Sequence, residues 1–294
     1  MRITQRAVAQ TSLQGLNQNL SAIAKLQQQL TSGRTINAPS DSPTGTNRAM
    51  QTRSDTAAAT QQARNISDGK AWLDSTDSTL QSMLSQVRKV RELTVQAANT
   101  GAMTETAAAG IKAEVQGLRE SLLGLANTVV QGRPVFGGVT SGPRAYADDG
   151  TFIGRADAPV TRRISDSESI RIDISGPEAL GDGPTGLLSV VEKVAGDIGA
   201  LDSAELAQDL AAPDEVMNRL LVAAASVGTR ASRVERAEQV NTDLQLTLTT
   251  QLAEVENVDL PKTIMELEMQ KVGYEAALSA TSKAIQKSLV DFLR

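Results

Sequence analysis

The sequence has no cysteine and no histidine, and aromatic residues make up 2% of it, with Trp72 the single tryptophan. Missing thiols and imidazoles remove cysteine nucleophiles, histidine bases and the usual zinc, haem and iron–sulfur ligands. Most familiar catalytic constellations go with them, and no cofactor or metal is expected. A disulfide framework is excluded as well, although that alone does not separate an exported chain from a cytosolic one. The 294 residues suffice for two or three modest domains, yet so few aromatics suit long helices packed along narrow seams better than one large interior.

Excess positive charge is lacking too. A formal net charge of -5 provides no broad basic field of the kind that attracts phosphate backbones, so nucleic acid is not an expected partner. No stretch approaches the roughly 20 consecutive apolar residues of a membrane span, so no membrane insertion is expected. The opening MRITQRAVAQTSLQGL lacks the apolar middle of a cleavable signal peptide, and export would need another route.

What is present is helical periodicity. Leu13, Leu16, Leu20, Ile23, Leu26 and Leu30 recur at steps of three and four, which predicts one apolar stripe on a first helix. Gly33 supplies a stop, and Pro39 biases the residue before it toward extended geometry. Ser42 as N-cap with Pro43 at the first helical position predicts a second helix to about Asn99. Its seam is a heptad of Ile66, Leu73, Leu80 and Val87, with Leu84 and Val90 between. A third helix carries Ile111, Val115, Leu118, Leu122, Leu125 and Val129.

The character changes at Gly132. Glycine, proline, aspartate and threonine dominate to about Gly186, and apolar residues switch to period two at Ile170, Ile172 and Ile174. Asp149-Gly150 between Ala145-Tyr146 and Thr151-Phe152-Ile153 predicts a two-residue hairpin turn. Helical spacing returns at Leu187, Val191, Val194, Ile198 and Leu201. A long helix follows Pro213, Pro261 is expected to interrupt it, and a last helix spaces Ile264, Leu267, Tyr274, Leu278, Ile285, Leu289 and Phe292 on one face.

The fold class expected is therefore mainly α: a nested long-helix coiled-coil rod and helical bundle with a small β-rich insert. Residues 1–44 and 255–294 form the terminal coiled-coil domain, 45–131 and 187–254 the helical core bundle, and 132–186 the insert. The insert, offering only the small apolar face of Ile170, Ile172 and Ile174, is expected to lie outside the polymerising core and to be replaceable by a short linker. Each terminal helix offers about six large apolar side chains, whose burial at about 1.5–3 kcal/mol each is worth on the order of 10 kcal/mol. A bare pair of helices leaves its flanks wet, so Leu13, Leu16, Leu20, Ile23, Leu278, Ile285, Leu289 and Phe292 are candidate assembly seams.

Four stretches carry a resemblance. LTSGRTINAPSDSPTGTNRAM, Leu30 to Met50, closely resembles the element after the first helix in the flagellin superfamily. The residues bearing it are Gly33, Arg34, Asn37, Pro39, Ser40, Asp41, Pro43 and Gly45. The PSDSP core and the opening MRIT are similar to the hook–filament junction members rather than to flagellins; family members often carry a second Asp where this chain has Ser42. GRPVFGG, with Phe136 and Gly137, resembles the element at which core helices give way to the insert, and SLVDFLR the closing helix. The resemblance covers roughly the first 138 and last 80 residues.

It implies a non-enzymatic structural subunit, exported unfolded through the flagellar type III channel with an export chaperone and secreted into the extracellular flagellum. There it would assemble with itself, contacting hook-associated protein 1 below and flagellin above. Flagellin itself is the nearest alternative, and a secreted coiled-coil binding or adhesive protein a further one. An enzyme is disfavoured. The acidic pairs Asp148-Asp149 and Asp166 with Glu168 fall in turns without EF-hand spacing, and GRPVFGG has neither P-loop nor dinucleotide-fingerprint spacing.

Overall fold

The computed structural model describes residues 2–99, 104–140, 142–201 and 203–290. It is mainly α. The helices are α1 Arg2–Ser32, α2 Pro43–Asn99, α3 Glu105–Ala126, α4 Gly176–Leu180, α5 Leu187–Ala200, α6 Ser203–Asp209, α7 Ala211–Glu256 and α8 Leu260–Val290. Among the described residues two small antiparallel sheets accompany them, β1 Val129–Val130 with β2 Arg133–Pro134, and β3 Thr161–Arg163 with β4 Ser169–Arg171. The chain divides into two compact units, one of Met1–Ala58 and Leu244–Arg294 and one of Ala59–Asp243.

In the unit of Ala59–Asp243 a continuous core forms from the heptad residues of α2. Ile66, Leu73, Leu80, Leu84, Val87 and Val90 are all buried, joined by Val115 and Leu122 of α3 and by Val216, Leu220, Val227 and Val234 of α7. A repeat of seven keeps one stripe facing the same neighbours along these long helices. The stripe of α3 stops one turn earlier than its spacing suggests. The helix ends at Ala126, capped at Asn127, so Val129 stands exposed on β1. Leu201 leaves the pattern of α5 in the same way, because it takes the left-handed C-cap conformation at φ 58°.

The segment between α3 and α5 is not a separate lobe. Phe136, Ile164, Ile170, Ile172, Ile174 and Leu180 are buried in the same core cluster as Leu73 and Val227. Polar contacts bind it to the helices as well: Arg162 pairs with Asp68 of α2 at 2.7 Å, and Arg233 of α7 with Glu168 at 2.6 Å. Arg230 of α7 donates to the Asp173 carbonyl at 2.6 Å. Replacing 140–186 by a linker would strip this core, so the expectation that the segment is dispensable does not survive. The Asp149-Gly150 turn exists with a three-residue loop, since Ala147 and Thr151 close it (Ala147 N–H to the Thr151 carbonyl, 2.9 Å) and Gly150 takes φ +85°.

In the unit of Met1–Ala58 and Leu244–Arg294, α1 packs along α8. Here Ala49, Leu248 and Leu267 are the buried apolar residues among those described. The break between α7 and α8 falls at residues 257–259. Asp259 caps α8 by accepting from the Lys262 N–H at 3.2 Å, and Pro261 sits in the first turn, where a missing N–H costs no helical bond.

Candidate assembly site

Two features of the terminal unit could serve assembly: the elbow after α1 and the faces of the paired helices α1 and α8.

The elbow is built by capping chemistry. Gly33 ends α1 at φ +68°, a conformation cheap only for glycine. Arg34 then bridges to Asn257 in antiparallel fashion. The Thr35 N–H donates to the Glu256 carbonyl at 2.7 Å and the Val258 N–H to the Gly33 carbonyl at 3.1 Å, which ties this loop to the break between α7 and α8. Beneath them the Glu256 carboxylate, buried to 7% exposure, accepts from Arg53 at 2.6 Å and lies 3.8 Å from Arg34.

Pro39 and Ser40 occupy the middle of a turn closed from the Asp41 N–H to the Ala38 carbonyl, 2.9 Å. The Asp41 carboxylate accepts from Lys25 at 2.9 Å and from the backbone N–H groups of Ala38 and Asn37 at 3.0 and 3.1 Å. Those bonds, with Lys25 first, hold its carboxyl below the usual aspartate value of 3.8. Asn37 donates back to the Arg34 carbonyl at 3.1 Å. Ser42 accepts from the Gly45 N–H at 3.1 Å with Pro43 first in α2. A Cβ at position 45 would stand 2.6 Å from Ile36 Cδ1 and 2.8 Å from the Ser42 Oγ, so a side chain there would press on both.

Phe136 and Gly137 belong to the other unit and serve its interior. Phe136 is fully buried, and its carbonyl accepts from Gly176 at 2.8 Å. Gly137 accepts from Arg155 at 2.9 Å, and a Cβ there would meet Pro134 at 2.6 Å.

The six apolar positions of α1 do not share one environment. Leu16, Ile23, Leu26 and Leu30 are half-buried, whereas Leu13 and Leu20 are exposed. Steps of three and four admit two adjacent faces about 100° apart, and the partner helix decides between them. On α8 the inner face reads Thr263, Leu267, Gln270, Tyr274, Ala277 and Thr281, a 4-3-4-3-4 spacing that includes Gln270 donating to Asn19 at 3.1 Å. Leu278 is exposed with Ile264. Ile285 and Leu289 are described in backbone only, within α8, and Phe292 lies outside the described residues.

A second stripe on α8 escapes sequence reading. Met265, Met269 and Val272 are 65%, 72% and 65% exposed. Met265 precedes Tyr274 by nine residues, about two and a half turns, so this stripe faces away from the α1 seam. Burying its three side chains at about 1.5–3 kcal/mol each would be worth on the order of 5 kcal/mol, which the paired helices leave uncollected. The 4-3 spacing was the available signal, masked by the stronger leucine pattern beside it. Glu256 and Arg53 gave none. No group of three or more metal-binding side chains occurs among the described residues, and none of the described helices is long and apolar enough to cross a membrane.

Comparison with known proteins places these features in a family context. A profile of the bacterial flagellin N-terminal helical region matches residues 3–140. The chain is similar to flagellar hook-associated protein 3 of Escherichia coli strain K12, 24% identical over 307 residues, covering 95% of this chain and 96% of that protein. It is also similar to flagellin of Bacillus subtilis strain 168, 26% identical over 301 residues, covering 98% and 97%. Its fold matches crystalline Bacillus cereus FlgL with a TM-score of 0.62 at 23% identity, over 69% of this chain and 99% of that one.

Proposed function

We propose, from the premise that this chain belongs to the flagellin superfamily, that it is a structural subunit of the bacterial flagellum forming the junction between hook and filament. The family is one of structural flagellar proteins rather than a known enzyme class, and it assembles with flagellin and hook proteins into an external appendage. The observation that carries a subunit role is the outward stripe of Met265, Met269 and Val272 on a helix whose opposite face is already paired. Such a helix gains stability only from further chains. End-to-end similarity to hook-associated protein 3, at nearly equal length, supports the junction position.

In this reading residues 1–44 and 255–294 make the contacts between subunits, with Leu13, Leu20 and Leu278 at the rim and Leu16 and Ile23 in the α1–α8 seam. The core bundle and the segment 132–186 stand as a folded body. The chain leaves the cell through the flagellar type III channel, escorted by an export chaperone, and meets hook-associated protein 1 on one side and flagellin on the other. Copies of the chain meet laterally.

The end-to-end similarity to Bacillus subtilis flagellin supports a second reading, a filament subunit. One experiment separates the two. A strain lacking the gene should carry bare hooks and release flagellin monomers into the medium, and antibody against this chain should label a short zone at the hook end of the wild-type organelle. Label along the whole filament would establish the second reading instead.

A further inference from the structure

Five of the seven methionines lie among the described residues, and they fall into two environments. Met83 of α2 is fully buried in the core of the unit Ala59–Asp243, and Met217 of α7 is half-buried against that core. Met50, Met265 and Met269 belong to the terminal unit and are exposed. Met265 and Met269 stand one turn apart on the outward face of α8, and Val272 continues their stripe. Methionine is apolar packing material, yet its sulfur keeps a lone pair that oxidants attack. Leucine or valine would cover the same area inertly, so the two thioethers make this face open to chemical modification.

We propose that Met265 and Met269 form an oxidant-sensitive site: a peroxide converts both to sulfoxides in the unassembled chain, and the oxidised face no longer packs against a neighbouring subunit.

The second half rests on the reading of this stripe as a subunit contact. In the oxidation itself the thioether sulfur gives a lone pair to one peroxide oxygen. The O–O bond breaks, an S–O bond forms, and the other oxygen leaves with both protons as water. Sulfur is oxidised and the peroxide reduced. The product is polar and carries a strong acceptor oxygen where the contact needs an apolar surface. Glu268, three residues after Met265 and four before Val272, borders the stripe. It only accepts hydrogen bonds, and Lys271 already holds it at 2.8 Å. A sulfoxide pressed into a dry contact beside it would be buried at the full cost of an unpaired polar group. Burial in the assembled state would in turn keep peroxide from the two sulfurs.

The test uses the full-length chain and hydrogen peroxide, with peptide mapping by mass spectrometry over time. Met265 and Met269 should gain oxygen at least about tenfold faster than Met83, which reacts only when the core opens. Treated and untreated chain is then added to cells that carry bare hooks for want of the gene, and its capture at hook ends is measured with antibody. Oxidation should lower capture by at least about tenfold, because two unpaired acceptors would enter the contact. Met265→Leu with Met269→Leu should be captured equally well before and after peroxide, even though its Met50 is still oxidised. Equal oxidation rates at Met83 and the stripe would overturn the proposal and leave the junction reading standing, as would undiminished capture of oxidised wild type. Untreated wild type that ignores bare hooks would overturn the junction reading and this inference with it.

Discussion

The two units solve opposite problems with the same kind of helix. In Ala59–Asp243 the heptad stripes of α2, α3 and α7 meet one another and the intervening segment, leaving at least twelve large side chains fully buried among the described residues. In Met1–Ala58 with Leu244–Arg294, none of those twelve occurs, and Met265, Met269, Val272, Leu13 and Leu20 stand in solvent. The difference teaches that helical content alone says little about where stability resides. One unit closes its own core; the other spends its sequence on an elbow and on surfaces that only neighbours can bury.

Mutations should fall on either side of that divide. The largest effect on the isolated chain is expected from Leu73→Ala, at a fully buried site, which should cost about 2–5 kcal/mol in transfer and cavity terms. Denaturant unfolding of the monomer would measure it, and a loss under about 1 kcal/mol would mean the core is far looser than its burial indicates. Next in size is Glu256→Gln, which removes the charge beneath Arg53 and Arg34 and should cost about 1–3 kcal/mol, visible as faster exchange of the Thr35 and Val258 amides.

Met269→Asp with Val272→Asp should change monomer stability by less than about 0.5 kcal/mol per site, because both side chains are already wet. The same double variant should abolish motility while remaining detectable in the medium. Normal filaments on motile cells would show that this face meets no neighbour. The smallest effect is expected at Asp41. Its lowered carboxyl value means that the contribution of its bonds is present above the usual 3.8 and lost as pH falls through the folded value. Asp41→Asn should remove that acid sensitivity from amides 37 and 38, and an unchanged acid response would remove Asp41 from the elbow.

The sequence disclosed what repeats or what local chemistry demands. The heptad of Ile66, Leu73, Leu80 and Val87 was legible because a period of 3.5 held over several turns has no other use. The elbow was legible because Gly33, Ser42 and Pro43 have backbone requirements that act within a few residues. Burial of Phe136 and Leu180 was not, since residues in irregular chain carry no period and their neighbours lie far off in sequence. The inner face of α8 was missed for another reason. Thr263, Gln270, Ala277 and Thr281 are small or polar, and a seam of such residues is invisible beside Leu278 and Ile264, which the fold leaves exposed. The outward stripe of Met265, Met269 and Val272 was readable only after the partner of α8 was known.

The terminal helices wait for neighbours, while the middle of the chain is complete. Hydrogen exchange on the purified chain, dilute and then assembled into flagella, tests it most directly. Slow exchange is expected at Ile66–Val90 and Val216–Val234 in both states. Fast exchange is expected across Leu13–Leu30 and Ile264–Ala277 in the dilute chain, becoming slow only after assembly. Equal, strong protection of all four stretches in the dilute monomer would contradict it.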